Sequence, residues 1–290
     1  MSPTLKRRLT DFPLGKQLRF LIGTALLQTR RFDADLIDAA PYSKDWSPFH
    51  RLLRNGLYYE ALRKRDFTTL GRYLKDYWSV DAGLNFHEVF AHRFENHFLL
   101  RDVRLMPEIE RLALSDPAYQ SLCEIGCGNG MVLDYYRRHL PVFDHYIGLD
   151  LSHVEIEKNR IRHDASLKFH TADAVEWIAN ESTDGIVFLT NGGVFECFTP
   201  DELTSLLDQA RKGGGPVAFA ITENIATDHE IEIDRMSHVY AAEFSFSHNY
   251  PYLFRASGYR IRFMHETFVA GERWINLLAE YPGSQRPPSA

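Results

Sequence analysis

The spacing of hydrophobic positions changes near residue 118. Before it, apolar residues recur every three or four positions in Leu14–Gln28, Phe49–Leu62, Phe67–Trp78 and Phe86–Leu100, the repeat of amphipathic helices. Breakers separate these stretches: Pro41, Ser47-Pro48, Asn55-Gly56 and Asp81-Ala-Gly83. Pro107 and Asp116-Pro117 mark the approach to something different. From there, short apolar runs alternate with helical ones. Ser121–Ile125, His145–Asp150, Leu167–His170, Ile186–Thr190 and Val217–Ile221 read as five strands. Strands that alternate with helices predict a parallel sheet covered on both faces. Ser152, with Glu155 three residues on, opens one intervening helix, and Ala174–Ala179 is a short second one. Thr199-Pro-Asp-Glu202 combines an N-cap threonine, a proline at the first helical position and a glutamate at the third. Gly213-Gly-Gly215 stops that helix. Asn224 to Tyr250 reads as an irregular or helical insertion, and Tyr259–Val269 with Trp274–Tyr281 as an antiparallel pair joined through Gly271. The expected division is a helical part over 1–115 and an α/β domain over 116–290.

The first strand runs into Glu124-Ile-Gly-Cys-Gly-Asn-Gly130, and a helical pattern follows at once. Glycine suits such a turn because it accepts positive φ and keeps no side chain between a ligand and the backbone. The N–H groups that open the next helix then face the turn's occupant. Dinucleotide turns use G-x-G-x-x-G, whose third glycine would fall at Met131. The spacing here is Gly126, Gly128, Gly130, and an acid stands two residues before it, which suits a cationic ligand better than a pyrophosphate.

This E-x-G-x-G-x-G pattern resembles motif I of the class I S-adenosylmethionine (SAM)-dependent methyltransferases. The resemblance covers about residues 118–223. It implies a Rossmann-like, seven-stranded, mostly parallel sheet with helices on both faces and an antiparallel terminal strand, here with an α-helical N-terminal extension. It also implies SAM as cofactor. Glu124, Gly126, Cys127, Gly128 and Gly130 would seat its methionine part. Asp150, at the end of the second strand 20 residues after Gly130, would accept the ribose hydroxyls, with Leu151 beside it. Asp173 would accept from the adenine amino group, and Ala174 would donate its backbone N–H to the ring. Trp177 or Ile178 is a candidate for the adenine face, with core packing the alternative for each. These positions fall at the carboxyl ends of strands, where open α/β sheets bind ligands.

Asn191-Gly192-Gly193 follows the fourth strand, where relatives that methylate amines of DNA and protein carry an Asn/Asp-Pro-Pro-aromatic motif. Its absence speaks against a nucleobase acceptor, and Asn191 and Gly192 are expected to shape the floor beneath the sulfonium. Glu196 and Cys197 either face the pocket or pack. Transfer from a sulfonium depends on alignment, helped by a general base where the acceptor must lose a proton. Glu223, at the end of the fifth strand, and His248, in the aromatic run Phe244–Tyr252, are the candidates, ahead of His229 and His238. Cys127 lies in the turn that should hold the cofactor and is not read as a nucleophile. His87, His92 and His97 are five apart, about 140° around one helix at each step, and so do not converge on a metal.

Charge and composition narrow the partners. Apolar residues make up 44% and charged ones 25% of the 290. Residues 1–110 hold 18 Lys/Arg against 14 Asp/Glu, and the rest hold 15 against 25. An acidic catalytic half argues against a nucleic-acid substrate, whose phosphates want a basic surface. No apolar run approaches the length needed to span a bilayer, and the basic residues Lys6, Arg7 and Arg8 are not followed by a secretory core. Three cysteines do not suggest a disulfide framework, and the cytoplasm is the expected compartment. The expected reaction is methyl transfer to the oxygen or nitrogen of a small molecule. The aromatic N-terminal helices, through Tyr58, Tyr59 and Trp78, either form their own core or line a lid. Two rival readings remain: a SAM- or nucleoside-binding scaffold without transfer, and an NAD(P) oxidoreductase.

Overall fold

Five parallel strands set the frame in a computed structural model that describes residues 14–28, 48–79, 92–240, 245–269 and 271–284. They are β1 (Ser121–Ile125), β2 (His145–Asp150), β3 (Leu167–Thr171), β4 (Ile186–Asn191) and β5 (Val217–Ile225). With β8 (Arg260–Val269) and β9 (Glu272–Tyr281) they form a seven-stranded sheet of order β3-β2-β1-β4-β5-β9-β8. The terminal strand β9 runs antiparallel to β5, with Ile221 opposite Leu277, and β8 pairs antiparallel to β9 beyond it. This is the expected α/β order. Strand β5 is longer than its apolar run suggests because pairing with β9 extends it through Thr222, Glu223 and Asn224.

Helices cover both faces. Helix α8 (Pro200–Ala210) lays Leu203, Leu206 and Leu207 on Phe188, Phe219 and Ile221. Its start carries the full capping box between Thr199 and Glu202. On the opposite face, α4 (Met106–Ser115) and α5 (Met131–His139) place Ile109, Leu112, Leu133 and Tyr136 against Leu122, Val187 and Ala218. Residues 98–113 therefore pack into the core of the sheet. Pro107 lies in the first turn of α4 rather than in a break, where its missing N–H costs nothing. Helices α6 (His153–Arg162) and α7 (Ala174–Asn180) follow β2 and β3.

The N-terminal part differs from expectation in detail. Helices α1 (Leu14–Gln28), α2 (Pro48–Lys64) and α3 (Phe67–Ser79) are present, but Asn55-Gly56 lies inside α2 and does not break it. A Cβ on Gly56 would lie 2.4 Å from the Gly23 carbonyl carbon, so the two glycines let α1 and α2 cross backbone to backbone. The described end of the expected Phe86–Leu100 helix is a π-helical turn over Phe94–Phe98. Pro41, Asp81-Ala-Gly83 and His87 lie outside the described residues.

The insertion after β5 holds a two-stranded antiparallel ribbon, β6 (His238–Tyr240) and β7 (Ser245–Ser247), and leads into α9 (Tyr250–Ala256). A third apolar cluster joins Phe20, Tyr58, Leu70, Tyr73 and Leu74 of the N-terminal helices to Val239 and Phe246 of this ribbon. The Phe67 ring meets Phe246 edge to face at 5.7 Å.

Candidate active site

Strand β1 ends in the glycine turn because its side chains are buried and the chain must reverse sharply over the carboxyl edge of the sheet. Gly126 and Gly130 adopt φ of 69° and 72°, a region that strains other residues. A Cβ at Gly126 would also lie 2.8 Å from Val194, and one at Gly130 2.9 Å from Phe169. The Gly126 and Cys127 N–H groups donate to the Leu149 carbonyl at 2.8 and 3.0 Å, which ties the turn to β2.

Two adjoining openings lie along this edge. The larger is a cavity of about 890 Å³ and the smaller one is about 120 Å³. Gly126, Asn191 and Gly192 line both and mark their junction. Asp150, Leu151, Asp173 and Ala174 line the large cavity, while Glu124, Cys127 and Gly128 line the small one. Gly130 lines neither and caps α5 instead.

The acids are held in different ways. Asp150 Oδ2 accepts from the Gly128 N–H and Oδ1 from the Ser152 N–H, both at 2.9 Å. Asp173 Oδ1 caps α7 by accepting from Val175 N at 2.8 Å. Its Oδ2 meets Lys75 Nζ of α3 at 2.8 Å, and the same ammonium reaches Glu202 Oε1 at 2.7 Å. Burial works against the charge of Lys75, yet the two carboxylates outweigh it and hold the ammonium above its ordinary range. Glu124 is buried, and its Oε2 has no hydrogen-bond partner among the described residues. Burial pushes its carboxyl well above the usual range. An orphaned carboxylate oxygen at the small opening fits a cationic group.

The expected bases do not reach either opening. Glu223 is fully buried beneath the loop after β4. It accepts from Thr190 Oγ1 at 2.6 Å, Phe195 N at 3.0 Å, Val194 N at 3.3 Å and Tyr250 OH at 3.5 Å. Burial pushes it up to about 8. His248 is equally buried, between Ser237 Oγ at 2.7 Å and the Phe198 carbonyl at 3.1 Å, and burial lowers it to about 4. Both brace the loops that face the cavity. His229 bonds Ser247 Oγ at 2.8 Å, and His238 pairs with Asp234 at 2.9 Å. Trp177 and Ile178 pack in the core around Phe188, which leaves the adenine face to other residues. Tyr58 and Trp78 line the cavity, but Tyr59 stacks on Phe20.

Two lining features escaped the sequence. Lys75 carries no signal among the charges of an amphipathic helix. Tyr240, whose hydroxyl donates to Glu196 Oε2, sits in a ribbon strand too short to show alternation. Glu196 itself faces the cavity.

Residues 96–224 match the model of a family described as a methyltransferase domain. No curated protein matches the chain. Among solved structures, the 1,6-didemethyltoxoflavin-N1-methyltransferase of Burkholderia thailandensis, with 1,6-didemethyltoxoflavin and S-adenosylhomocysteine bound, is 17% identical over 69% of this chain and 87% of that one, at a TM-score of 0.46. A SAM-dependent methyltransferase of Clostridium acetobutylicum is 11% identical over 69% of this chain and 100% of that one, at 0.49. The magnesium protoporphyrin IX methyltransferase of Synechocystis with bound SAM is 12% identical over 73% and 96%, at 0.45. The segment that resembles a methyltransferase domain holds the glycine turn and the first four strands of the seven-stranded sheet, with most of β5.

Proposed function

We propose that the enzyme transfers the methyl group of SAM to an oxygen or nitrogen of a small-molecule acceptor, with α1 to α3 as a cap over the site. One observation carries this reading: buried Glu124, whose Oε2 has no partner among the described residues, lines the small pocket beside Gly126 and Asn191, which also line the large one. A ligand with a cationic end and a nucleoside end would span the two. Glu124 and the turn through Gly126, Cys127 and Gly128 hold the methionine end, and Gly130, which lines neither opening, shapes the turn as the cap of α5. Asp150 and Leu151 take the ribose, while Asp173 and Ala174 take the adenine. Asn191 and Gly192 form the floor between. Bound SAM supplies a methyl already activated on positive sulfur. The chain's part is to align the acceptor with it and exclude water, since an in-line displacement gains most from orientation.

The size of the cavity suits a small molecule, and the acidic balance of residues 111–290 disfavours a polynucleotide. No helix among the described residues is long and apolar enough to cross a membrane. With Cys123 and Cys127 buried as thiols, the cytoplasm is the compartment we assign. Isothermal titration tests the reading. S-adenosylhomocysteine should bind in the micromolar range, and Asp150→Ala should weaken it at least about tenfold, the equivalent of about 1.4 kcal/mol. Unchanged binding in the variant would overturn the assignment of Asp150, and no binding to the unaltered protein would overturn the reading.

A further inference from the structure

We propose that His229, Asp234 and His238 bind a divalent metal ion of the zinc class, which fastens the segment between β5 and the ribbon. One donor atom from each of the three falls within 4.8 Å of the other two. His238 Nε2 meets Asp234 Oδ2 at 2.9 Å, and the His229 and His238 rings stand edge to face with centroids 4.6 Å apart. Atoms held about 2.0–2.2 Å from one ion stand roughly 3.3–3.6 Å apart in a tetrahedron. Small turns of Asp234 and His238, whose side chains are 20% and 19% exposed, bring the set to that spacing. Their open side leaves room for water as the fourth ligand.

The surrounding bonds hold these groups in place for an ion. His229 is buried, and its Nδ1 lies 2.8 Å from Ser247 Oγ. That hydroxyl accepts from Ala226 N at 2.9 Å and has a second lone pair, so it can also take the Nδ1–H. In that tautomer His229 Nε2 carries a lone pair, and its neighbour, the Asp234 carbonyl at 3.4 Å, has no proton to give it. A hydrogen bond from the outer ring nitrogen to an oxygen is how metal-binding histidines are oriented. Asp234 Oδ1 accepts from Met236 N at 2.9 Å, which leaves Oδ2 for the ion. The backbone is fixed as well. Buried Asn249 Nδ2 donates to the Ile231 and Asp234 carbonyls at 2.6 and 2.8 Å, and Arg273 Nη1 donates to the His229 carbonyl at 2.7 Å.

Charge and ligand type point to the same class of ion. Asp228-His-Glu-Ile-Glu-Ile-Asp234 carries four acids and no Lys or Arg, so the segment is negative around the donors. The nearby guanidinium groups are engaged: Arg235 lies over the Tyr252 ring, and Arg273 pairs with Glu266 at 2.7 Å. Two imidazoles and a carboxylate suit Zn2+ and its neighbours, whereas Ca2+ and Mg2+ prefer oxygen alone. None of the three donors lines the large cavity, but Thr227 and Asp228 just before His229 and Tyr240 just after His238 do. The ion therefore braces one wall of the cavity from outside, whatever that cavity holds.

The test uses the full chain without an affinity tag, stripped with chelator and titrated with Co2+ alone and then with Zn2+. One Co2+ per chain should bind, with the strong visible absorption of a four-coordinate ion, and Zn2+ should displace it. Asp234→Ala and His238→Gln should each lower Zn2+ affinity by more than the about 10–100-fold that loss of a supporting bond costs. His265→Gln, at an exposed position of β8, should bind as the unaltered protein does. A second readout needs no variant and so does not depend on how the variants fold. Zn2+ should shift the ring-nitrogen NMR signals of His229 and His238 in the unaltered protein and leave those of buried His248 in place. Weak, unsaturable Co2+ binding, full Zn2+ affinity in both ligand variants, or unmoved His229 and His238 signals would each overturn the site.

Discussion

The buried Glu223 predicts a stability curve that one substitution should tilt. Its carboxyl titrates near 4.5 in an unfolded chain and at about 8 in the fold. Between these values the folded protein holds a proton that the unfolded chain has lost. Stability therefore falls as pH rises, by about 1.4 kcal/mol per unit. From pH 5 to pH 7, which lies within that window, the loss attributable to this group is about 2.5 kcal/mol. Glu223→Gln cannot titrate and should lack this slope. Its absolute stability at one pH is not the readout, because the new amide can meet the Phe195 N–H donor to donor. The difference between the two proteins, measured by urea unfolding at pH 5, 6 and 7, is the readout. The comparison also removes His248, whose lowered value acts the other way: its stabilisation is lost as pH falls from 6.5 through about 4. Parallel curves for the two proteins would refute the reasoning. They would mean that the donors from Thr190, Val194 and Phe195 offset burial and keep Glu223 ionised.

Other perturbations follow from the same geometry. Gly56→Ala should destabilise by about 1–3 kcal/mol despite alanine's better helix propensity, because its Cβ would overlap the Gly23 backbone; a gain in the urea midpoint would contradict the close crossing. Lys75→Met removes both ion pairs between α3 and the sheet domain, so α3 amides should exchange faster while those of β5 stay unchanged; equal protection in α3 would show that the third apolar cluster alone seats the cap. Glu124→Gln should weaken S-adenosylhomocysteine by about tenfold or more, as expected for loss of a charge-assisted contact, and leave 5′-methylthioadenosine, which has no amino-acid end, unchanged; equal losses for both would displace Glu124 from the methionine end.

The strands and the turn were legible because their signals are local. Val217–Ile221 is an unbroken apolar run, and Glu124 to Gly130 is a spacing within seven residues. The capping box at Thr199 is equally local, and all its bonds are present. What stayed hidden depends on partners far away in sequence. Gly56 looks like a breaker unless Gly23 is known to face it. Glu223 stands at a strand end, which suggests a functional acid. The loop after β4 then folds over it and donates two N–H groups. His248 is turned inward in the same way, with its aromatic run forming a core around it. Glu196 could be narrowed to two options, and only its neighbour Tyr240, 44 residues on, shows which side it faces.

The shared cluster of the cap and the ribbon has a consequence for synthesis on the ribosome. Phe67 emerges first, but its partner Phe246 follows some 180 residues later. At roughly 5–20 residues per second, that is a wait of about ten to forty seconds. During this time Phe67, Leu70 and Leu74 can pack on α1 and α2 but lack the surface that completes them. The nascent cap should thus be a client for chaperones until the ribbon is made, and separately translated cap and catalytic fragments should be recovered far less well than the single chain.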